Sequence, residues 1–200
     1  MTTILKEGHE CILKLFYKDK SAKIHLREIA RKTKLNENSA SRFLNQLEKL
    51  HILESMKEGN LKKYAVRKNE TVFAVFVYFD VQKLHALPAI RKNAIHYFLE
   101  HLQEKPIIAL VFGSTAKNTY SERSDIDILL IVNKKIQTKD AEAYVDAQTA
   151  LKISPIQINY REFEEELKLK HDHVVQSAVN TGFPVSNHIT YYGAVYHERI

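Results

Sequence analysis

The sequence predicts an α+β protein of two parts, a helical N-terminal third closed by a β-hairpin and a mixed α/β remainder. Three observations lead there. Apolar residues recur at helical spacing through the first third and then give way to two short runs flanking Glu58-Gly59-Asn60. From Ile107 onwards, short apolar runs alternate with amphipathic stretches across short connections. Charge divides along the same line. Residues 1–70 hold 12 Lys and 4 Arg against 8 Glu and 1 Asp, and the remainder holds 14 basic and 15 acidic groups, so the +6 excess lies in the first third.

In order, residues 3–19 carry Ile4, Leu5, Ile12, Leu13, Leu15 and Phe16 at helical spacing. A second helix over 25–34 aligns Leu26, Ile29 and Ala30. Leu35-Asn36-Glu37 interrupts, and Asn36 is suited to cap a third helix running to Leu50, with Ala40, Phe43, Leu44 and Leu47 on one stripe. Residues 52–57 and 61–67 then read as strands of a hairpin. VFAVFVYFDVQKLHAL is rich in β-branched and aromatic residues, which leaves a strand open, but its length favours a buried helix. Pro88 suits the first turn of another helix, which ends before Pro106. Beyond it come a strand at 107–112, a Gly-Ser turn with a short helix, a strand at 126–132, a helix at 138–152, a strand at 155–160 and one long helix at 161–180. Glu164/Lys168 and Glu166/Lys170 are i, i+4 pairs on that last helix. Residues 183–200 suit a closing strand or an arm that packs on a partner. The expected domains are 1–70, a helical connector at 71–104, and 105–200.

At 44% apolar and 27% charged, the composition is that of a globular protein. A lone Cys11, which suits a core position, excludes an internal disulfide and points to a reducing compartment. The N-terminus lacks a signal-peptide pattern, and the longest apolar run, VFAVFVYF, is too short to cross a bilayer. A soluble cytoplasmic protein with no membrane partner is expected.

The order helix, helix, turn, helix, hairpin, together with LREIARKTKLNENSASRFLNQLEKLHILES, resembles a winged helix–turn–helix domain. The resemblance puts Ala40, Leu44 and Leu47 in the core of a recognition helix and Ser39, Ser41, Arg42 and Asn45 on its groove-facing side. Lys57, Lys62, Lys63 and Arg67 fall on the wing. Such a helix fits the major groove, and wing lysines grip phosphates without reading sequence. Double-stranded DNA is the implied partner and a homodimer the implied assembly. A role in pairing proteins stays open.

The most informative segment runs from Gly113-Ser114 to Asp125-Ile126-Asp127. Gly113 lets the backbone approach a phosphate, and Ser114 offers a hydroxyl at a helix N-terminus. Asp125 and Asp127, two apart in extended chain, point to one side and offer the hard oxygens that suit Mg²⁺. Gly-Ser followed, after ten intervening residues, by Asp-x-Asp on the next strand resembles the DNA-polymerase-β-like nucleotidyltransferases, in the wording Ser-Asp-Ile-Asp most of all the minimal branch. The resemblance implies Gly113 and Ser114 on the triphosphate of a nucleotide such as ATP, Asp125 and Asp127 as catalytic ligands of Mg²⁺, and transfer of a nucleotidyl group, AMP, to a hydroxyl. Lys117 and Arg123 could neutralise triphosphate charge. The family usually supplies a third acid from a later strand. The matching strand offers Gln157 and Asn159, neither acidic, and Asn118 stands where relatives often carry Gly. Either the site is a weakened binder of nucleotide, or Glu162 or Glu164 swings in. His171-Asp172-His173 resembles a ligand set, but its residues would face apart on a helix.

Joined, the two resemblances imply a DNA-binding regulator carrying a nucleotidyltransferase-like domain. Relatives of the minimal branch often partner small helical HEPN-type proteins in toxin–antitoxin pairs. An adenylyltransferase of a protein or small molecule, and a nucleotide-sensing regulator without turnover, are the alternatives.

Overall fold

The structure is a computed structural model that describes residues 5–198. It divides into two compact units, one ending at Phe79 and the other beginning at Asp80. The first unit contains α1 (Glu7–Lys18), β1 (Ile24–His25), α2 (Leu26–Thr33), α3 (Glu37–Lys49), β2 (Leu53–Glu58) and β3 (Leu61–Val66). Its three strands form an antiparallel sheet in the order β1-β3-β2. The expected first helix is shorter than 3–19, and residues 1–4 lie outside the described residues. Asn36 caps α3 by accepting the Ser39 N–H at 2.8 Å. Gly59, at φ 59°, supplies the left-handed residue of the two-residue hairpin loop. Ile12, Leu13, Phe16, Ile29, Leu44, Leu47 and Leu53 are buried at its centre.

α4 (Glu70–Ala86) begins in the first unit and ends in the second. Then follow α5 (Ala89–His101), β4 (Ile108–Phe112), α6 (Gly113–Lys117), β5 (Ile126–Val132), α7 (Lys139–Thr149), β6 (Ile153–Asn159), α8 (Tyr160–Leu169), α9 (His173–Thr181), β7 (Phe183–Ser186) and α10 (His188–Glu198). The sheet runs β6-β5-β4-β7, with β5 antiparallel to β4 and parallel to β6. Along β5 the side chains alternate: Ile126, Ile128, Leu130 and Val132 enter a core with Ala94, Ile95, Phe98 and Val145. Asp127, Leu129 and Ile131 therefore face the other way.

Three expectations change here. Residues 71–104 are not a separate connector, because α5 contributes Ala94, Ile95 and Phe98 to the core of the second unit. The long helix at 161–180 is two helices. Lys170 turns left-handed at φ 58°, and the Glu166 carboxylate accepts the N–H groups of His171 and Asp172. Asp172 then caps α9 through Val174 and Val175, so the His-Asp-His segment is a helix–helix turn. The tail forms both a strand and a helix: β7 pairs with β4, and α10 buries Tyr191 and Tyr192. The Tyr192 hydroxyl donates to both carboxylate oxygens of the buried Asp80, at 3.0 and 2.8 Å. Among the described residues no helix is long and apolar enough to cross a membrane.

Candidate functional site

The site grows out of the register between the two central strands, in which Phe112 of β4 pairs with Asp127 of β5. The chain leaves β4 through Gly113, left-handed at φ 65°, and α6 begins there. A Cβ built on Gly113 would overlap the Asp127 carboxylate. Glycine is therefore required twice, for the backbone angle and for the approach of the acid. Phe112 offers no side-chain cap to α6, which leaves the first N–H groups of that turn to an outside acceptor. Ser114 lies half-buried among them, whereas Lys117 is exposed at the far end of α6. Asp127 is half-buried and Asp125 exposed. β5 starts only at Ile126, so Asp125 belongs to the preceding loop and not to the strand. Burial, and secondarily the charge of Asp125, push the Asp127 carboxyl above its ordinary range.

Residues 92–180 match the sequence model of the family described as Polymerase beta, Nucleotidyltransferase. The matched span holds Gly113, Ser114, Asp125 and Asp127 together with β4, β5 and β6. No curated protein and no solved structure matches the chain.

Two further features shape the approach to these residues. Asn118 ends α6 at φ 56°, a conformation asparagine tolerates, and its N–H reaches Ser114 and Thr115 carbonyls. Beyond it, the loop to Asp125 is gripped by Arg91 of α5. Its guanidinium donates to Thr115 Oγ1 at 3.0 Å and to the Ser121 and Ser124 carbonyls at 2.8 Å each, and lies 4.0 Å from the Tyr120 ring centroid. Arg91 is only 2% exposed, and its burial lowers its pKa. The signal was in the spacing: Arg91, Ala94, Ile95 and Phe98 fall at i, i+3, i+4, i+7, so the arginine sits in the buried stripe.

β6 corrects the expected place of a third acid. The parallel register pairs Asp127 with Ser154, Leu129 with Ile156 and Ile131 with Ile158. In-register neighbours share a face, so the positions beside the aspartate are Ser154 and Ile156, the latter 41% exposed. Gln157 and Asn159 pair with Leu130 and Val132 on the opposite face. Both have structural duties. Gln157 accepts from the Ile136 N–H at 2.9 Å and donates to the Ile136 carbonyl at 3.0 Å. Asn159 donates to the Asn133 carbonyl and caps α8. Glu162 closes that capping box by accepting the Asn159 N–H at 3.1 Å. Among the described residues no group of three or more His, Cys, Asp or Glu is placed to hold a metal ion. The donor set at Asp125 and Asp127 is two hard oxygen ligands, which fits Mg²⁺ completed by water and phosphate oxygens.

In the first unit, α3 presents Arg42 and Asn45 to solvent, with Ser39 and Ser41 half-buried. Arg42 lies 5.1 Å from the Phe43 ring centroid. The hairpin lysines are partnered: Lys62 pairs with Glu48 at 3.0 Å and Lys63 with Glu58 at 2.8 Å. Lys57 stands directly opposite Lys62 across the β2–β3 ladder, a like-charge pair next to Glu58.

Proposed function

We propose that the second unit binds a nucleoside triphosphate with Mg²⁺, and that the first is a winged helix that places α3 on double-stranded DNA, making the protein a nucleotide-responsive regulator with little or no nucleotidyl transfer. The observation that carries the nucleotide reading is the contact between Gly113 and Asp127. It sets an uncapped turn, suited to phosphate, against a carboxylate that burial has made costly to leave charged. Gly113 and Ser114 would take the phosphates, and Asp125 and Asp127 would hold the metal. Bound Mg²⁺ would supply charge neutralisation for the phosphates. Ser154 in register with Asp127 supports binding over turnover, because a serine hydroxyl is no general base at neutral pH.

The DNA reading rests on the helix, strand, helix, helix, hairpin order and on the basic excess of residues 1–70. The ion pairs at Lys62 and Lys63 shift the expected phosphate grip towards Arg42 and Lys57.

Titration of ATP against the protein, with and without Mg²⁺, tests the first half. Mg²⁺-dependent binding that disappears in Asp127→Ala is expected, and equal affinity in the two proteins would overturn it. Titration of duplex DNA at several salt concentrations tests the second. Affinity should fall steeply with salt, and Arg42→Ala should flatten the log–log slope by about one. A slope near zero would remove DNA from the reading.

A further inference from the structure

We infer that Arg91 is the positioning residue of the nucleotide site, holding the loop between α6 and β5 so that Asp125 is fixed relative to the Gly113 turn. The inference rests on the Mg²⁺–nucleotide reading above. Among the described residues, the guanidinium's hydrogen bonds all go to that one stretch of chain. Thr115 lies in the turn that begins at Gly113, and Ser124 immediately precedes Asp125. Ser121 lies between them, and its N–H and hydroxyl both meet the Ser124 hydroxyl at 2.9 Å. The guanidinium thus spans from the phosphate turn to the residue before the first acid. A shift of the Ser124 carbonyl moves the Asp125 backbone directly, because the two share a peptide unit.

The composition of the grip argues for geometry. Its acceptors are neutral, two carbonyls and a hydroxyl, and no carboxylate among the described residues forms an ion pair with Arg91. A fully buried cation held only by dipoles is an expensive device if packing were its sole purpose, since an apolar side chain would fill the stripe at lower cost. What arginine alone supplies is a planar fork that engages three acceptors at once and stacks on Tyr120. Lysine keeps the charge and loses the fork, which separates positioning from electrostatics.

The test measures ATP affinity with and without Mg²⁺ in the wild type, Arg91→Lys, Asp125→Asn and the double variant, with thermal melts alongside. Arg91→Lys should weaken the Mg²⁺-dependent part by about tenfold, leave Mg²⁺-free affinity within about twofold, and add nothing on top of Asp125→Asn, the signature of two groups acting as one. Equal losses with and without Mg²⁺, additivity with Asp125→Asn, or no loss at all would each overturn the positioning role. Should Arg91→Lys fail to fold, Thr115→Val removes one of the three bonds at nearly constant volume. It should give the same pattern at about two- to threefold, and an unchanged Mg²⁺ dependence would overturn the role. If the wild type shows no Mg²⁺-dependent binding, the nucleotide reading falls and Arg91's role with it. Mg²⁺-dependent binding that ignores Arg91 overturns this inference alone.

Discussion

The two strands that flank β5 prepare it for different things. On the β4 side, Gly113 yields its side-chain volume to Asp127, Asn118 turns the chain left-handed, and Arg91 pins the loop that delivers Asp125. On the β6 side, the positions in register with the site are Ser154 and Ile156, a hydroxyl and an exposed apolar side chain. On the proposed reading, one flank would serve a phosphate and a divalent cation. The other carries no group that accepts a proton at neutral pH. The contrast teaches that the two neighbours of one strand can be shaped independently: the β4 side is built around Asp127 by backbone and side chains alike, while the β6 side leaves Ser154 and Ile156 beside it.

The largest effect is expected where the built flank is tightest. Gly113→Ala incurs the left-handed backbone penalty of about 1–2 kcal/mol and drives its Cβ into the Asp127 carboxylate. Binding of ATP with Mg²⁺ should be lost and the melting temperature lowered. A variant that binds like the wild type would mean the turn yields easily, and the β4 flank would then be no more specialised than the other.

Ser154→Asp approaches the comparison from the empty side. In-register neighbours on adjacent strands stand about 4.8 Å apart, so the new carboxylate would join Asp127 on the same face. Without metal the variant should melt lower, because a further like charge enters a half-buried site. With Mg²⁺ and ATP, pyrophosphate release should rise by about a hundredfold or more, the lower range of what a positioned base contributes. Release that stays at the wild-type level would place the limit on turnover somewhere other than β6.

How much of this could be read from the sequence follows from what kind of signal each feature leaves. The order of elements, the Gly113 turn and the paired acids were legible because local pattern determines them: alternation for β5, a capping asparagine for α3, a left-handed glycine after a strand. The break at Lys170 was not, because it depends on the Glu166 side chain folding back on His171 and Asp172, and that pair reads equally well as an exposed helical face. The misplaced third position has a different cause. Gln157 and Asn159 alternate with Ile156 and Ile158 in any strand, but which set lies beside Asp127 depends on the β5–β6 register, a non-local fact. Arg91 was overlooked because a charge inside an apolar stripe is easily taken for a snorkelling surface residue, and its acceptors lie 24 to 33 residues further along the chain.

The smallest effect sharpens the electrostatic part of the contrast. Burial and Asp125 hold the Asp127 carboxyl above its ordinary range. An acid whose pKa is higher in the folded state than in the unfolded one is ionised more readily on unfolding, so it lowers stability at neutral pH. That cost diminishes as pH falls through the interval between the folded and unfolded values, and is absent once both states are protonated. Asp127→Asn removes it. The variant should therefore melt above the wild type at neutral pH without Mg²⁺, with the gap closing through the carboxylate range on acidification. The gain is small because Asp127 is only half-buried and water screens part of its charge. Saturating Mg²⁺ and ATP should reverse the order, since only the wild type then gains stability by binding. A variant no more stable than the wild type at neutral pH would mean that Asp127 rests there without penalty. The proposed cation site on the β4 flank would then rest on geometry alone.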